Sequence, residues 1–176
     1  MYSKSLAPLL AFLLLAGCGV TDDLLPSGEN KQGGAVTLGP GDRAPEFTMP
    51  DIWGQPHTLA GLLAEKRGVV LYFAMWCPIC DSHMQSILHG PLQNHPDVEF
   101  IIVDYVSGTV EGGKRAAMSG GYAQSPFIIL VDERQKALNA YGATMGTTVV
   151  IGQDYGIRMI EDYKSQIQLE EALAGL

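Results

Sequence analysis

Cys77 and Cys80 are separated by two residues in the run Trp76-Cys77-Pro78-Ile79-Cys80, and the covalent chemistry of the chain is concentrated there. If a helix begins at Cys77, the cysteines fall at i and i+3, so their sulfurs meet across one turn and can close a reversible disulfide. The attacking species in such chemistry is the thiolate. A helix start favours it, because the first N–H groups lack backbone partners and the helix dipole is positive at that end. In C-x-x-C sites the thiol pKa falls from about 8.5 to between roughly 3.5 and 7.5. Pro78 suits the first helical turn, having no N–H to leave unpaired. Cys80, one turn further in, is expected to be the more buried sulfur and to resolve a mixed disulfide formed by Cys77. Trp76 is expected to pack beside the pair and shield Cys77.

Other chemistries find less support. Cys77, Cys80, His83 and His89 are four nominal metal ligands, but all crowd one helix, and no cysteine or histidine follows His95 to supply a second pair. No metal is expected. His57, His89 and His95 are most simply loop or helix-end residues. There is no phosphate-binding glycine loop, no G-x-S-x-G and no H-E-x-x-H, so no cofactor is expected either. Lys and Arg total 11 against 19 Asp and Glu, a formal charge of −8, which is the wrong sign for nucleic acid. With 47% hydrophobic residues the chain must bury a conventional core, and three cysteines are too few for a disulfide scaffold. Its 176 residues suit one domain with something appended.

The two sulfurs need a strand to deliver them and a helix to receive them. Gly68 to Met75 is a continuous apolar run rich in β-branched and aromatic residues, the pattern of a strand buried on both faces. Val98 to Val103, Phe127 to Val131 and Thr147 to Ile151 read the same way. Gln153-Asp154-Tyr155-Gly156 is a tight turn into a fifth strand, Ile157 to Ile160. Helices are expected at Pro78 to Leu88, Glu133 to Tyr141 and Ser165 to Leu173. A weaker one is expected at Glu111 to Met118, where Gly112 and Gly113 lower the propensity. Strands alternating with helices and closing in an antiparallel hairpin imply an α/β sandwich with a mixed sheet.

On these residues the chain resembles the thioredoxin-like superfamily, in particular membrane-tethered thiol-disulfide oxidoreductases and alkyl-hydroperoxide-reductase-like redoxins. Ala44-Pro45-Glu46-Phe47 followed by Asp51-Ile52-Trp53-Gly54-Gln55 is similar to the family's opening strand and hairpin. Val70 to Cys80 is similar to its active-site strand and turn, and Ser125 to Gly156 to its later strand, helix, strand and turn. The resemblance covers residues 38 to 176. It implies a three-layer thioredoxin-like sandwich with a central mixed sheet, and thiol-disulfide exchange with protein thiols or disulfides outside the cytoplasm and with an upstream redox partner. The family usually places a cis-proline before the strand that begins at Thr147; Gly146 stands there, beside Met145. Trp76, Pro78, Met145 and Gly146 are thereby the expected substrate-contacting residues. Where the tethered reductases often carry a glutamate, three residues past Cys80, this chain has His83. Its imidazole is read either as a proton relay to Cys80 or as a solvated helix residue. Peroxiredoxins place a threonine three residues before their reactive cysteine, and here that position is Ala74. A thiol-dependent peroxidase and a binding module with a structural disulfide are the competing readings.

The N-terminal segment carries a different message. Met1 to Gly19 contains one early Lys4 and an apolar run from Leu9 to Ala16, shorter than the roughly 18 to 20 residues that span a bilayer as a helix. It resembles an export signal. Leu15-Ala16-Gly17-Cys18 further resembles the lipobox of bacterial lipoproteins, in which the cysteine is lipidated and becomes the first mature residue. Residues 1–17 are then a signal peptide and residues 18–37 a tether, which mixes Gly, Asp, Ser, Asn and Pro without a helical or alternating apolar period and has a span of about 25 Å as a flexible coil. On this reading Cys18 holds the domain of residues 38–176 at a membrane surface in the cell envelope.

Overall fold

The computed structural model describes residues 37–176. The expected signal peptide, Cys18 and all but the last residue of the expected tether lie outside the described residues.

The described chain opens with a short hairpin, β1 (Thr48–Pro50) pairing antiparallel with β2 (Pro56–Thr58), and runs on into α1 (Leu59–Glu65). Next comes β3 (Gly68–Ala74), every residue of which is buried, followed by α2 (Pro78–His89) and the single turn α3 (Pro91–Asn94). Then follow β4 (Val98–Asp104), α4 (Val110–Ser119), β5 (Ile128–Val131), α5 (Lys136–Tyr141), β6 (Thr147–Gly152), β7 (Ile157–Asp162) and α6 (Gln166–Ala174). The main sheet has the order β5-β4-β3-β6-β7, with β3 in the middle. β3 pairs in parallel with β4 and antiparallel with β6, and β6 pairs antiparallel with β7, so the sheet is mixed.

Alternation along β3 divides the core into two layers. Val70, Tyr72 and Ala74 face one side, where they pack with Cys80, Met84 and Ile87 of α2 and with Leu169 and Leu173 of α6. Val69, Leu71 and Phe73 face the other, with Leu59 and Leu63 of α1 and Ala137 and Tyr141 of α5. Helices on both faces of a mixed sheet make the three-layer sandwich that the resemblance implied. β3 therefore ends, buried on both sides, at the point where the cysteine turn begins.

Three local differences from the sequence reading have physical causes. The helix expected over Glu133 to Tyr141 is broken: Glu133–Gln135 is a 3-10 turn in which Arg134 and Gln135 take φ of 63° and 54°. The helix proper starts later because the buried Asp132 carboxylate accepts the N–H groups of Ala137 and Leu138, at 3.0 and 2.8 Å. The helix weakened on paper by two glycines forms over ten residues, capped by Thr109 accepting from Gly112 N–H. Its Gly113 lies so close to β5 that a Cβ would fall 2.7 Å from Val131 Cγ2. The helix α1, capped by Thr58 accepting from Gly61 N–H, was not anticipated; its signal is Leu59, Leu62 and Leu63 on one face after a threonine cap.

Candidate redox site

Beyond Ala74 the chain leaves the sheet through Met75 and Trp76, the latter at φ 57°, a left-handed backbone that aims the next residue at the start of α2. Cys77 is the N-cap of α2. Its backbone is extended and its sulfur accepts the Cys80 N–H at 3.2 Å, as a capping side chain does. The two sulfurs lie 2.9 Å apart as free thiols, one donating to the other. Cys80 is fully buried, whereas Cys77 is partly exposed. The Cys77 thiol is held below its ordinary pKa, first by the hydrogen bond from Cys80, which outweighs the opposing effect of burial, and then by the backbone N–H groups of Cys80 and Ile79. The structure thus joins a strand end, a helix start and two sulfurs, one open and stabilised as an anion, the other enclosed.

Side chains around the pair fall into two groups. On one side the Trp76 ring packs against Tyr122, with centroids 6.3 Å apart, and its indole Nε1 is buried without a hydrogen-bond partner. Tyr122 donates its hydroxyl to Asp81 Oδ1 at 2.6 Å and accepts from Gln85, so the carboxylate nearest Cys77 in α2 is engaged with a tyrosine. Pro78 is exposed, and Met75 and Ile79, flanking Cys77 in the chain, are 43% and 57% exposed. On the other side Gly146 is buried in a trans peptide at φ 86°. It donates to the Phe73 carbonyl at 2.9 Å and accepts from Tyr163 N–H at 2.8 Å. Met145, partly buried, packs on the α2 side of the sheet.

His83 sits between these parts. It is half-buried, and its Nδ1 meets the Tyr72 hydroxyl at 3.0 Å rather than Cys80. Its ring packs on Tyr163 with centroids 4.7 Å apart, and the empty Cβ position of Gly146 is 4.0 Å from Nδ1. Burial lowers its pKa from the usual 6.5. Tyr72 itself was not singled out in the sequence; a tyrosine inside a continuous apolar strand reads as core. Its available signal was position, since it lies on the face of β3 that α2 covers. The other histidines pair elsewhere: His57 with Asp51, His89 with Gln85 and His95 with Glu170. Among the described residues no three side chains of metal-ligating type come together, and no helix is long and apolar enough to cross a membrane.

Fold and site together define a thioredoxin-like thiol-disulfide oxidoreductase. The chain belongs to the Redoxin family, whose model matches residues 39–171. A thiol-disulfide oxidoreductase ResA of Geobacillus thermodenitrificans is 28% identical over 138 residues, covering 73% of this chain and 76% of that protein. A thioredoxin-like protein from Aeropyrum pernix shares the fold with a TM-score of 0.61 at 16% identity, over 74% of this chain and 89% of the other. A secreted Mycobacterium tuberculosis disulfide oxidoreductase, described as homologous to the Escherichia coli DsbE, does so with a TM-score of 0.56 at 22% identity, over 74% and 96%.

Proposed function

We propose that this chain is exported, anchored by lipid on Cys18, and exchanges electrons with protein thiols and disulfides outside the cytoplasm through Cys77 and Cys80. The observation that carries the reading is the pair of free sulfurs 2.9 Å apart at a helix start, one partly exposed and the other enclosed. In the reducing direction the Cys77 thiolate attacks one sulfur of a partner disulfide. The S–S bond of the partner breaks, a mixed disulfide forms, and the released partner sulfur takes a proton. Cys80 then loses its proton and attacks Cys77 Sγ, and the second partner sulfur leaves as a thiolate. Two electrons pass from the dithiol to the partner, and the same steps reversed oxidise a partner dithiol.

The burial difference between the sulfurs supports the division of labour, because only Cys77 is open to an incoming polypeptide. Exposed Met75 and Ile79 offer apolar contact beside it, with Pro78, Trp76, Met145 and Gly146 as the other contacting residues. Export and anchoring rest on the apolar run and Leu15-Ala16-Gly17-Cys18. A peroxidase reading finds less support, since Ala74 is wholly buried and offers no hydroxyl to a peroxide. The test is reduction of insulin disulfides by the full chain with a dithiol donor. Cys77→Ser is expected to abolish turnover, and turnover equal to the unmodified protein would overturn the proposal.

A further inference from the structure

A resolving thiol that is fully enclosed must lose its proton before it can attack, and Cys80 has no direct contact with water. The groups around it are few. Cys77 faces it across the turn at 2.9 Å, and Tyr105, following β4, packs in the opposite layer of the core. Asp81, on α2, is bonded to Tyr122, and Tyr163, following β7, donates to or accepts from Ser86 Oγ at 2.8 Å. From β3, Tyr72 packs in the same buried cluster as Cys80, and its hydroxyl stands 3.0 Å from His83 Nδ1. His83 lies one turn beyond Cys80 on α2 and is half-buried, and among the described residues its Nε2 has no hydrogen-bond partner.

We infer that the Tyr72 hydroxyl carries the proton between the enclosed Cys80 thiol and His83, which makes this tyrosine a catalytic residue of the resolving step. The inference rests on the dithiol reading above. A phenol has one proton and two lone pairs, so it can accept from one neighbour while donating to the other. As Cys80 Sγ attacks Cys77 Sγ, its proton passes to Tyr72 Oη, and the phenolic proton passes to His83 Nδ1. Tyr72 ends neutral, as it began, and His83 becomes an imidazolium that sheds a proton to solvent from Nε2. Reversal of the sequence delivers a proton to Cys80 when the disulfide is reduced.

The surroundings favour a carrier at Tyr72 and a base at His83. Burial, followed by the neighbouring Cys80, drives the Tyr72 pKa far above its usual 10, so the phenol stays protonated and conducts instead of storing charge. Burial lowers the His83 pKa, so near neutral pH its imidazole is uncharged and Nδ1 is free to accept. The ring contact with Tyr163 fixes the imidazole plane, and the Tyr163 N–H bond to Gly146 fixes Tyr163 in turn.

The experiment uses the full chain, reduced, with oxidised glutathione as the probe. Acid-quenched samples are read by mass for the Cys77 mixed disulfide and for the closed Cys77–Cys80 disulfide, from about pH 5 to about pH 9. In the unmodified protein, closure is expected to rise with pH through a midpoint below 6.5, set by His83. Tyr72→Phe is expected to leave formation of the mixed disulfide within about two-fold, slow its closure by about a hundred-fold and move the closure midpoint upward. His83→Gln is expected to shift the midpoint the same way with Tyr72 intact. Closure by Tyr72→Phe at the unmodified rate overturns the inference, and so does slower closure with an unmoved midpoint, which marks a packing role alone. These outcomes separate from failure of the dithiol reading itself, which would show as continued glutathione exchange by Cys77→Ser.

Discussion

Gly146 donates its N–H to the carbonyl of Phe73, 2.9 Å away, and so ties the loop before β6 to the strand that delivers Cys77. This is where relatives of the fold usually carry a cis-proline, and the chain solves the same junction differently. The peptide is trans, and φ of 86° is open to glycine at little cost but strained for any residue with a Cβ. Gly146→Ala is therefore expected to destabilise the protein by about 1–2 kcal/mol. Gly146→Pro is expected to cost more, since proline needs φ near −65° and also deletes the N–H that binds Phe73, with a further loss of about 1 kcal/mol. Urea unfolding of the two variants measures this. A proline variant as stable as the unmodified protein would show that the backbone here accepts the geometry of its relatives.

Cys80 offers a cleaner separation of the two sulfur roles. With Cys80→Ser the Cys77 thiol remains at the helix start and still attacks, but nothing resolves the product. The variant is expected to accumulate a stable mixed disulfide with its partner and to lose catalytic turnover by at least about a hundred-fold. Trapping with a reducible peptide disulfide followed by mass measurement reads it directly. Turnover near the unmodified rate would mean that resolution comes from an outside thiol.

A full chain carrying Cys18→Ser is expected to move from the membrane fraction to the soluble fraction while its insulin-reducing activity after purification stays within about two-fold. The expectation follows from the proposed acyl chains, whose insertion contributes about 0.8 kcal/mol for each buried methylene. The residue lies outside the described part of the chain, and the proposed redox pair is Cys77 and Cys80. An unchanged distribution between fractions would overturn the anchoring proposal and leave the dithiol chemistry untouched.

The strands around the site were legible because β3, β4 and β6 are buried on both faces, save for the half-buried Glu99 in β4, and so read as runs rich in apolar and β-branched residues. The cysteine turn was legible because a two-residue spacer has few meanings at a strand-to-helix junction. Tyr72 was not, since the feature that makes it matter is a hydroxyl pointing at α2, and an apolar run hides the direction of each side chain. The start of α5 was not either: the left-handed turn at Arg134 and Gln135 depends on the buried Asp132 carboxylate reaching past it. Gly146 was recognised as a departure from its relatives, and its positive φ was foreseeable from glycine alone. Its hydrogen bonds to Phe73 and Tyr163 required the fold.

The largest influence lowering the Cys77 pKa is the hydrogen bond from the Cys80 thiol, which has a consequence for reactivity and for redox balance. Alkylation of the reduced Cys18→Ser protein by iodoacetamide reads Cys77, because Cys80 is fully buried. Its rate is expected to rise with pH through a midpoint below the ordinary thiol value of about 8.5. Cys80→Ala removes the donor but keeps the backbone N–H that binds Cys77 Sγ, so the midpoint is expected to rise part of the way back. Linkage gives the sign for stability. A thiol whose folded pKa is depressed stabilises the reduced fold fully above the unfolded pKa, and this contribution is lost as pH falls through the folded value. The disulfide form has no such dependence, so the reduced fold is expected to gain on the oxidised one as pH rises across that window. Paired denaturation curves of the reduced and oxidised protein at several pH values test it. A stability difference that is flat across the alkylation midpoint would show that the thiolate at the start of α2 is not what sets the redox balance.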